Sequence, residues 1–478
     1  MMELRLRTSS HFASDYCQLR PSWQSTPAYK RQRVDCAPAS ALGPLCRAAA
    51  TAERTVTPEK LSTTAPGTQT PGFGNTNDSI LVVGAGIAGL AAAVALRKVG
   101  LPVVVLESSP DERKQGSAIA LWTNAFHALD ALGVAQPLRD AHPLLTRVEL
   151  CTQEGRTLKA FSLTECRGGP HEFRGIRRSE LLQGLRQALP SDLLHYGCPI
   201  RDVTPDPNGA LVTLEDGRRM RFRAVLGTDG IRSRVAACLG MPPPNYAGYA
   251  AYRGVAKFAK KGTIPLDTCR MVWGNGVRAG MYPLSEDEAY WFTCFNASAD
   301  AAGPSNPEEA KQAALSQVEG WAKGVDAAIR DTPAESISRS RIEDRWLAPG
   351  LPYGKGAVTL LGDAAHPMTP NLGQGGCTAL EDAVEVARAL GGTRQEQEGV
   401  GSRAAWRAVT TPALTDALRA FEKKRSKRIF PLAARSWGMG TVLQLPYPPV
   451  TALRNFVVSN LYNPAGFLDH ALYDVGRL

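Results

Sequence analysis

SILVVGAGIAGLAAAVALRKVGLPVVVLE, running from Ser79 to Glu107, is the stretch on which the fold turns. Ser79 to Val83 is a run of β-formers, Gly84-Ala-Gly86-Ile-Ala-Gly89 follows at once, and Leu90 to Lys98 is helix-forming. A glycine turn between strand and helix lets the backbone approach an anion and aims the helix's first N–H groups, carrying about half a unit of positive charge, at it. Ala93 and Gly100 stay small where the helix must lie close on a sheet. Pro102 to Leu106 reads as a second strand, and Glu107 at its end is placed to accept hydrogen bonds from a ribose 2′-hydroxyl. The order predicts an α/β fold with a Rossmann-like domain, in which the backbone after Gly84 and Gly86 cradles the pyrophosphate of an adenine dinucleotide. The competing reading of Glu107 alone is a solvated strand-end acid.

Downstream, Arg113 stands in a polar loop, either near the cofactor's adenosine or pyrophosphate or simply solvated. Asn124 to Leu132 reads as an amphipathic helix ending at Gly133, and Arg147 to Leu163 alternates as antiparallel strands do. Arg174 to Leu189 reads as a strand turning into a helix capped by Ser179, with Arg178 before the cap in reach of a phosphate or ribose, or else on the surface. Arg201 to Arg223 is a hairpin pair turning at Asn208-Gly209 and Asp216-Gly217. Ala224 to Val235 then repeats the strand-to-turn pattern, ending in Asp229-Gly230 before a helix start at Ser233 and Arg234. That acid is suited to cofactor hydroxyls, and that glycine to close backbone approach.

From Asn245 to Trp346 the chain carries aromatic-rich strands that would form an antiparallel sheet walling a pocket, with Tyr252 and Arg253 as candidate substrate residues. Pro307 to Arg330 reads as a surface helix. A β-run to Leu361 then leads into Gly362-Asp363, His366, Pro370 and the glycine run Gly373-Gln374-Gly375-Gly376 before a helix from Thr378. Bare backbone N–H groups and a helix dipole there suit an electron-rich, flat ligand. His366 is a candidate acid or base, the alternative being a histidine bonded locally to backbone. Phe421 to Arg428 reads as a basic helix with a solvated face.

The whole chain of 478 residues has 44% hydrophobic and 21% charged residues and a net charge of +10, which suits a globular protein with a sizeable core. No basic block is interleaved with aromatics, so nucleic acid is excluded as a partner. The ten cysteines show no CxxC pair and no Cys/His cluster, which predicts free thiols, a reducing compartment and no metal. No apolar run reaches the length of a spanning helix. Residues 1–75 are rich in Ser, Thr, Ala, Pro and Arg and poor in acids, as a transit peptide and linker are, the alternative being an extension without an address. The expected localisation is the chloroplast, with mitochondrion or cytoplasm as alternatives. Trp437 to Leu472, with its Leu-Pro-Tyr-Pro-Pro turn, either packs on the nucleotide domain or offers a surface for peripheral membrane contact.

GxGxxG, Asp-Gly and Gly-Asp in this order resemble the single-component, group A FAD-dependent monooxygenases of the para-hydroxybenzoate hydroxylase type. Asn371-Leu-Gly-Gln-Gly-Gly-Cys377 with Glu381-Asp382 looks most like the plant and algal branch of zeaxanthin epoxidase and its shorter monooxygenase relatives. The likeness covers Ser79 to the C-terminus. It implies a GR2-type FAD-binding domain formed by residues 76–240 and 347–395, an inserted antiparallel substrate domain over 241–346, and C-terminal helices over 396–478. By resemblance Gly84, Gly86, Gly89 and Glu107 hold the ADP half of FAD, and Arg178 contacts its ribose or phosphate side. Asp229 and Gly230 bind FAD and help receive NADPH or NADH, Gly362 and Asp363 hold the ribityl and pyrophosphate region, and Pro370 with the backbone through Gly376 lies on the isoalloxazine. The implied reaction reduces FAD with NAD(P)H, adds O2 to form a flavin C4a-hydroperoxide, and hydroxylates or epoxidises an aromatic or isoprenoid substrate. Two departures stand out. The family's Asp-Gly motif closes on Arg where this chain has Ala236, and zeaxanthin epoxidases carry a C-terminal forkhead-associated domain for which a chain ending at Leu478 leaves no room. The rival readings are a reductase or halogenase on the same fold, and a non-catalytic FAD-binding interaction protein.

Overall fold

Four short strands run side by side and parallel, Val358–Leu360, Ala224–Gly227, Ile80–Val83 and Val103–Leu106, and Leu194–His195 completes the sheet at the edge. The computed structural model describes residues 73, 76–112, 117–393 and 403–478, all within the unit Thr68–Leu478. Every residue of the first four strands is buried, as expected of near-continuous Val, Ile and Leu runs covered on both faces. The alanine-rich helix Ile87–Lys98 is buried from Ile87 to Leu96 and packs against the helix Gly375–Gly392, where alanine and glycine permit close approach.

The pairing register places the function. Val83 lies opposite Leu106 and Gly227, and Gly227 opposite Leu360. The sheet therefore ends level, and Gly84, Glu107, Asp229 and Gly362-Asp363 all leave from its carboxyl edge. Crevices outside the carboxyl ends of parallel strands are where such sheets bind ligands.

A second, seven-stranded sheet has the order Ser338–Asp344, Asn245–Lys257, Glu288–Asn296, Val277–Pro283, Thr268–Trp273, Arg147–Thr152 and Thr157–Ser162. Its last two strands come from outside residues 241–346, and Thr268–Trp273 pairs with Arg147–Thr152 in parallel, the one exception to antiparallel pairing. Local alternation identified these strands but carried no information on which sheet they join.

Smaller expectations fare as follows. Gly133 ends the helix Thr123–Leu132 with φ 78°, and the hairpins turn at the two named sites. Ser179 is not a cap: the helix runs Arg178–Gln187 and its cap residue, Arg177, makes no side-chain capping bond. Pro307 to Arg330 divides into Pro307–Ser316 and Val325–Arg330, the second preceded by Gly324 with φ 79°. At the C-terminus, Thr411–Leu443 and Pro448–Asn460 are helices. No helix among the described residues is long and apolar enough to cross a membrane.

Candidate active site

The three glycines of the first turn have three different reasons to be there. Gly84 has φ +102°, and a Cβ on it would lie 2.9 Å from the Thr228 carbonyl oxygen. A Cβ on Gly89 would lie 1.8 Å from the carbonyl oxygen of Gly84, because the helix folds back on its own turn. A Cβ on Gly86 would meet nothing within 4 Å, so this glycine faces open space. Glu107 braces the turn: its Oε2 accepts from the Ala85 N–H at 2.7 Å and its Oε1 from the Ser109 N–H at 2.9 Å. Asp229 accepts from Ser233 Oγ at 2.5 Å and the Arg234 N–H at 2.6 Å, capping the short helix behind it. Burial raises its carboxyl above the ordinary value against those donors. Gly230 follows with φ +79° and open space around it. Arg113 lies outside the described residues.

The glycine-rich loop divides into residues that face a cavity and residues that hold the loop from behind. Asp363, Pro370, Gly373, Gly375 and Gly376 line a cavity of 540 Å³, together with Arg178. Asp363 is open to that channel, yet the protein around it raises its carboxyl above the ordinary value, with His366 and Arg178 opposing. Gly362, His366 and Gln374 are turned away from the cavity. Gly362 has φ +56°, and a Cβ there would press on Ala88 and Ala379 at 3.1 Å. Its N–H donates to Asp382 Oδ2 at 2.8 Å, and the buried His366 Nε2 bonds the same oxygen at 2.7 Å. His366 is therefore a brace under the loop and not a group facing substrate, and its partner is a carboxylate instead of local backbone. Gln374 is fully buried, its Oε1 accepting from Asn124 Nδ2 at 2.8 Å.

Behind the loop lies a buried charge network that the basic helix reading missed. Arg425 is fully buried and donates from Nε to Asp382 Oδ1 and from its terminal nitrogen to Glu381 Oε2, both at 2.6 Å. Arg428 adds a bond to Glu381 Oε1 at 3.1 Å, and Asn124 Nδ2 reaches the same oxygen at 2.6 Å. Burial alone would raise the Asp382 carboxyl, but His366 and Arg425 hold it below its ordinary value. Phe421 to Arg428 thus clamps the Gly-Asp loop through paired charges. The available signal was Glu381-Asp382-Ala383-Val384-Glu385, three acids close together in a helix rich in alanine, valine and leucine.

The cavity's far wall is one face of the seven-stranded sheet. Arg278 and Tyr282 on one strand and Tyr290 and Phe292 on the next point into it, while their neighbours Ala279, Met281 and Trp291 point away into another core. Gly280 makes room for Phe292, whose ring a Cβ there would meet at 2.4 Å. The same alternation separates Tyr252 from Arg253. Arg253 lines the cavity and donates to Ser340 Oγ at 2.8 Å. Tyr252 lies on the opposite face, stacked on Phe295 at 5.1 Å, and does not reach the cavity. Arg278 is buried; it donates to Gln444 Oε1 at 3.0 Å and to Asn371 Oδ1, with no carboxylate partner among the described residues. Trp122, stacked on Phe173 at 3.7 Å, flanks Gly373. Burial pushes the Tyr290 phenol up to about 12. On the C-terminal side, burial and the Arg435 and Arg428 charges push His470 down to about 4, leaving a neutral imidazole at the wall.

Open space at Gly86, and glycine backbone at Gly375 and Gly376 in a cavity that runs to an aromatic wall, fit a dinucleotide with a flat ring system. Gly376 brings the ends together, since a Cβ on it would lie 4.0 Å from Ile87 Cδ1, one residue past Gly86. A family model described as an FAD binding domain matches residues 78–402. Monooxygenase 2 of Arabidopsis thaliana is 30% identical over 410 residues, which cover 84% of this chain and 98% of that protein. The chain belongs to the group A FAD-dependent monooxygenases. Its cofactor is FAD, and NAD(P)H is the co-substrate typical of the family. The zeaxanthin epoxidase of Oryza sativa subsp. japonica, named as chloroplastic, is 31% identical to this monooxygenase over 73% of the chain but only 53% of that protein. A single-residue variant of HpxO from Klebsiella pneumoniae, solved in complex with FAD, superposes with a TM-score of 0.70 at 25% identity, over 83% of this chain and 99% of that one. The described residues contain a single parallel sheet, so NAD(P)H has no dinucleotide fold of its own among them.

Proposed function

We propose that this monooxygenase hydroxylates or epoxidises an aromatic or isoprenoid molecule held between the Pro370–Gly376 loop and the aromatic face of the seven-stranded sheet. The observation that carries the reading is the continuity of the 540 Å³ cavity from Asp363 and Gly375 to Tyr282, Tyr290 and Phe292. Gly86 would face the pyrophosphate in the turn that Gly84 and Gly89 shape, Arg178 and Asp363 would take the ribose and ribityl region, and the backbone from Pro370 to Gly376 the ring. Residues 76–240 and 347–395 thereby act as the FAD domain, and the sheet over 241–346, extended by Arg147–Ser162, as the substrate domain.

The chemistry that bound FAD supplies is two-electron oxidation of NAD(P)H and delivery of one oxygen atom of O2 to the substrate. The protein supports it in three ways. The N-terminus of the helix Gly375–Gly392, which has no side-chain cap, would offer its first N–H groups and the positive end of its dipole to negative charge on the bound flavin. The aromatic wall keeps bulk water out. Arg278 and Arg253, two cations without a carboxylate partner among the described residues, suit a hydroxyl or oxyanion on the substrate ring. Protonated Tyr282 and Tyr290 stand beside them as donors.

The test is NAD(P)H oxidation under air by the FAD-loaded protein, with phenolic and isoprenoid candidates added in turn. Acceleration with an oxygenated product is expected. Flavin that NAD(P)H fails to reduce would sink the reading. We further propose that residues 1–75 direct the chain to the chloroplast, on their acid-poor composition. A fluorescent fusion of those residues that stays in the cytosol would refute this.

A further inference from the structure

The helix Pro448–Asn460 is pinned by one face. Thr451 Oγ1 donates to Asn275 Oδ1 at 2.8 Å, and the buried Arg454 lies over the Trp273 ring at 5.4 Å. Val458 on this helix and Tyr462 just after it line the cavity. The other face is apolar and open: Leu453 is 63% exposed, Phe456 59%, Val457 41%, and Leu461 at the helix end 69%. Their spacing of three and four residues makes one stripe. The segment that carries the stripe is free of acids, with no Asp or Glu from Lys423 to Leu468; Arg435, exposed on the preceding helix, donates to the Gly466 carbonyl just beyond the stripe, and Glu154 and Arg156 of another segment border the helix beside Phe456.

We propose that this stripe rests on the surface of an anionic lipid bilayer, so that the element walling the cavity on one side meets the bilayer on the other. Two observations select a bilayer over a protein partner. A helix with large aliphatic and aromatic side chains outward, embedded in an acid-free, basic stretch, matches interfacial binding to anionic headgroups. Because Val458 and Tyr462 of the same segment line the cavity, docking by the stripe would bring an apolar substrate's site next to the lipid. That second point rests on the monooxygenase reading; the docking itself does not.

The experiment is co-sedimentation of the FAD-loaded full chain with vesicles of phosphatidylcholine alone or with phosphatidylglycerol, without NAD(P)H or substrate, so that its outcome is independent of turnover. Binding to the anionic vesicles is expected, weakened by salt. The double variant Leu453→Gln/Phe456→Gln should lower the partition coefficient by about tenfold or more with the flavin absorbance unchanged. Val457→Ser/Leu461→Gln serves as the second variant should the first lose its flavin. Wild-type protein left in the supernatant, or variants that sediment as well as wild type, would overturn the proposal. So would a dimer, seen by light scattering, that dissociates in the variants without any vesicle binding, since the stripe would then be covered by a second copy.

Discussion

Gly86 and Gly89 stand in one turn, yet a methyl group on each meets opposite surroundings. At Gly89 it would sit 1.8 Å from a backbone oxygen that cannot move aside, whereas at Gly86, with φ −78°, it would enter open space. Gly89→Ala should therefore cost about 1–3 kcal/mol or prevent folding, as overpacking against fixed backbone does. Gly86→Ala should leave apoprotein stability within about 0.5 kcal/mol of wild type and raise the FAD dissociation constant about tenfold or more by blocking the pyrophosphate's approach. Urea unfolding of the apoproteins and a flavin titration separate the two effects. Equal FAD affinity for Gly86→Ala and wild type would remove that glycine from the cradle.

The long helix Thr411–Leu443 acts on the loop without lining its glycine end. Arg425 is held between Glu381 and Asp382, and Asp382 in turn holds Gly362 and His366. Removing one member of a buried ion network leaves the others charged and unpaired, which costs more than the network contributes relative to an apolar replacement. Arg425→Met should lower stability by about 3–5 kcal/mol and loosen the Gly362–Asp363 turn, read as a shifted denaturation midpoint together with a broadened flavin absorption band. A midpoint within error of wild type would mean that the acids have found other partners. None of this followed from Phe421 to Arg428 read alone, because a basic helix at a surface and one buried against two acids have the same local pattern.

The cofactor would touch segments far apart in the chain: the turn at Gly84–Gly89, the loop at Asp229-Gly230 and the stretch from Asp363 to Gly376. Because the unfolded chain cannot assemble that surface, FAD should stabilise the folded state as a ligand of the native form. At a free concentration of about 100 times its dissociation constant the gain is about 2.7 kcal/mol. A thermal scan of apo and FAD-loaded protein should show a rise in Tm of several degrees. Coincident transitions at saturating FAD would mean that the unfolded chain binds the flavin as well as the native fold does, against a site assembled from distant segments.

What could be read from the chain was what proximity along it controls. The parallel strands, the glycine turn, Glu107 at a strand end and Gly362-Asp363 before a glycine-rich helix start are local patterns, and pairing of the strands in register brings them to one edge. Which face of the second sheet meets the cavity is a long-range matter. Adjacent residues on a strand point oppositely, so Tyr252 and Arg253 were indistinguishable until the sheet had neighbours on both sides. His366, Gln374 and Arg425 were misread for a related reason: each is defined by Asp382, Asn124 or Glu381, partners that lie 16 to 250 residues away. A side chain's bonding partner across such distances depends on how the elements pack, and only the folded chain sets that.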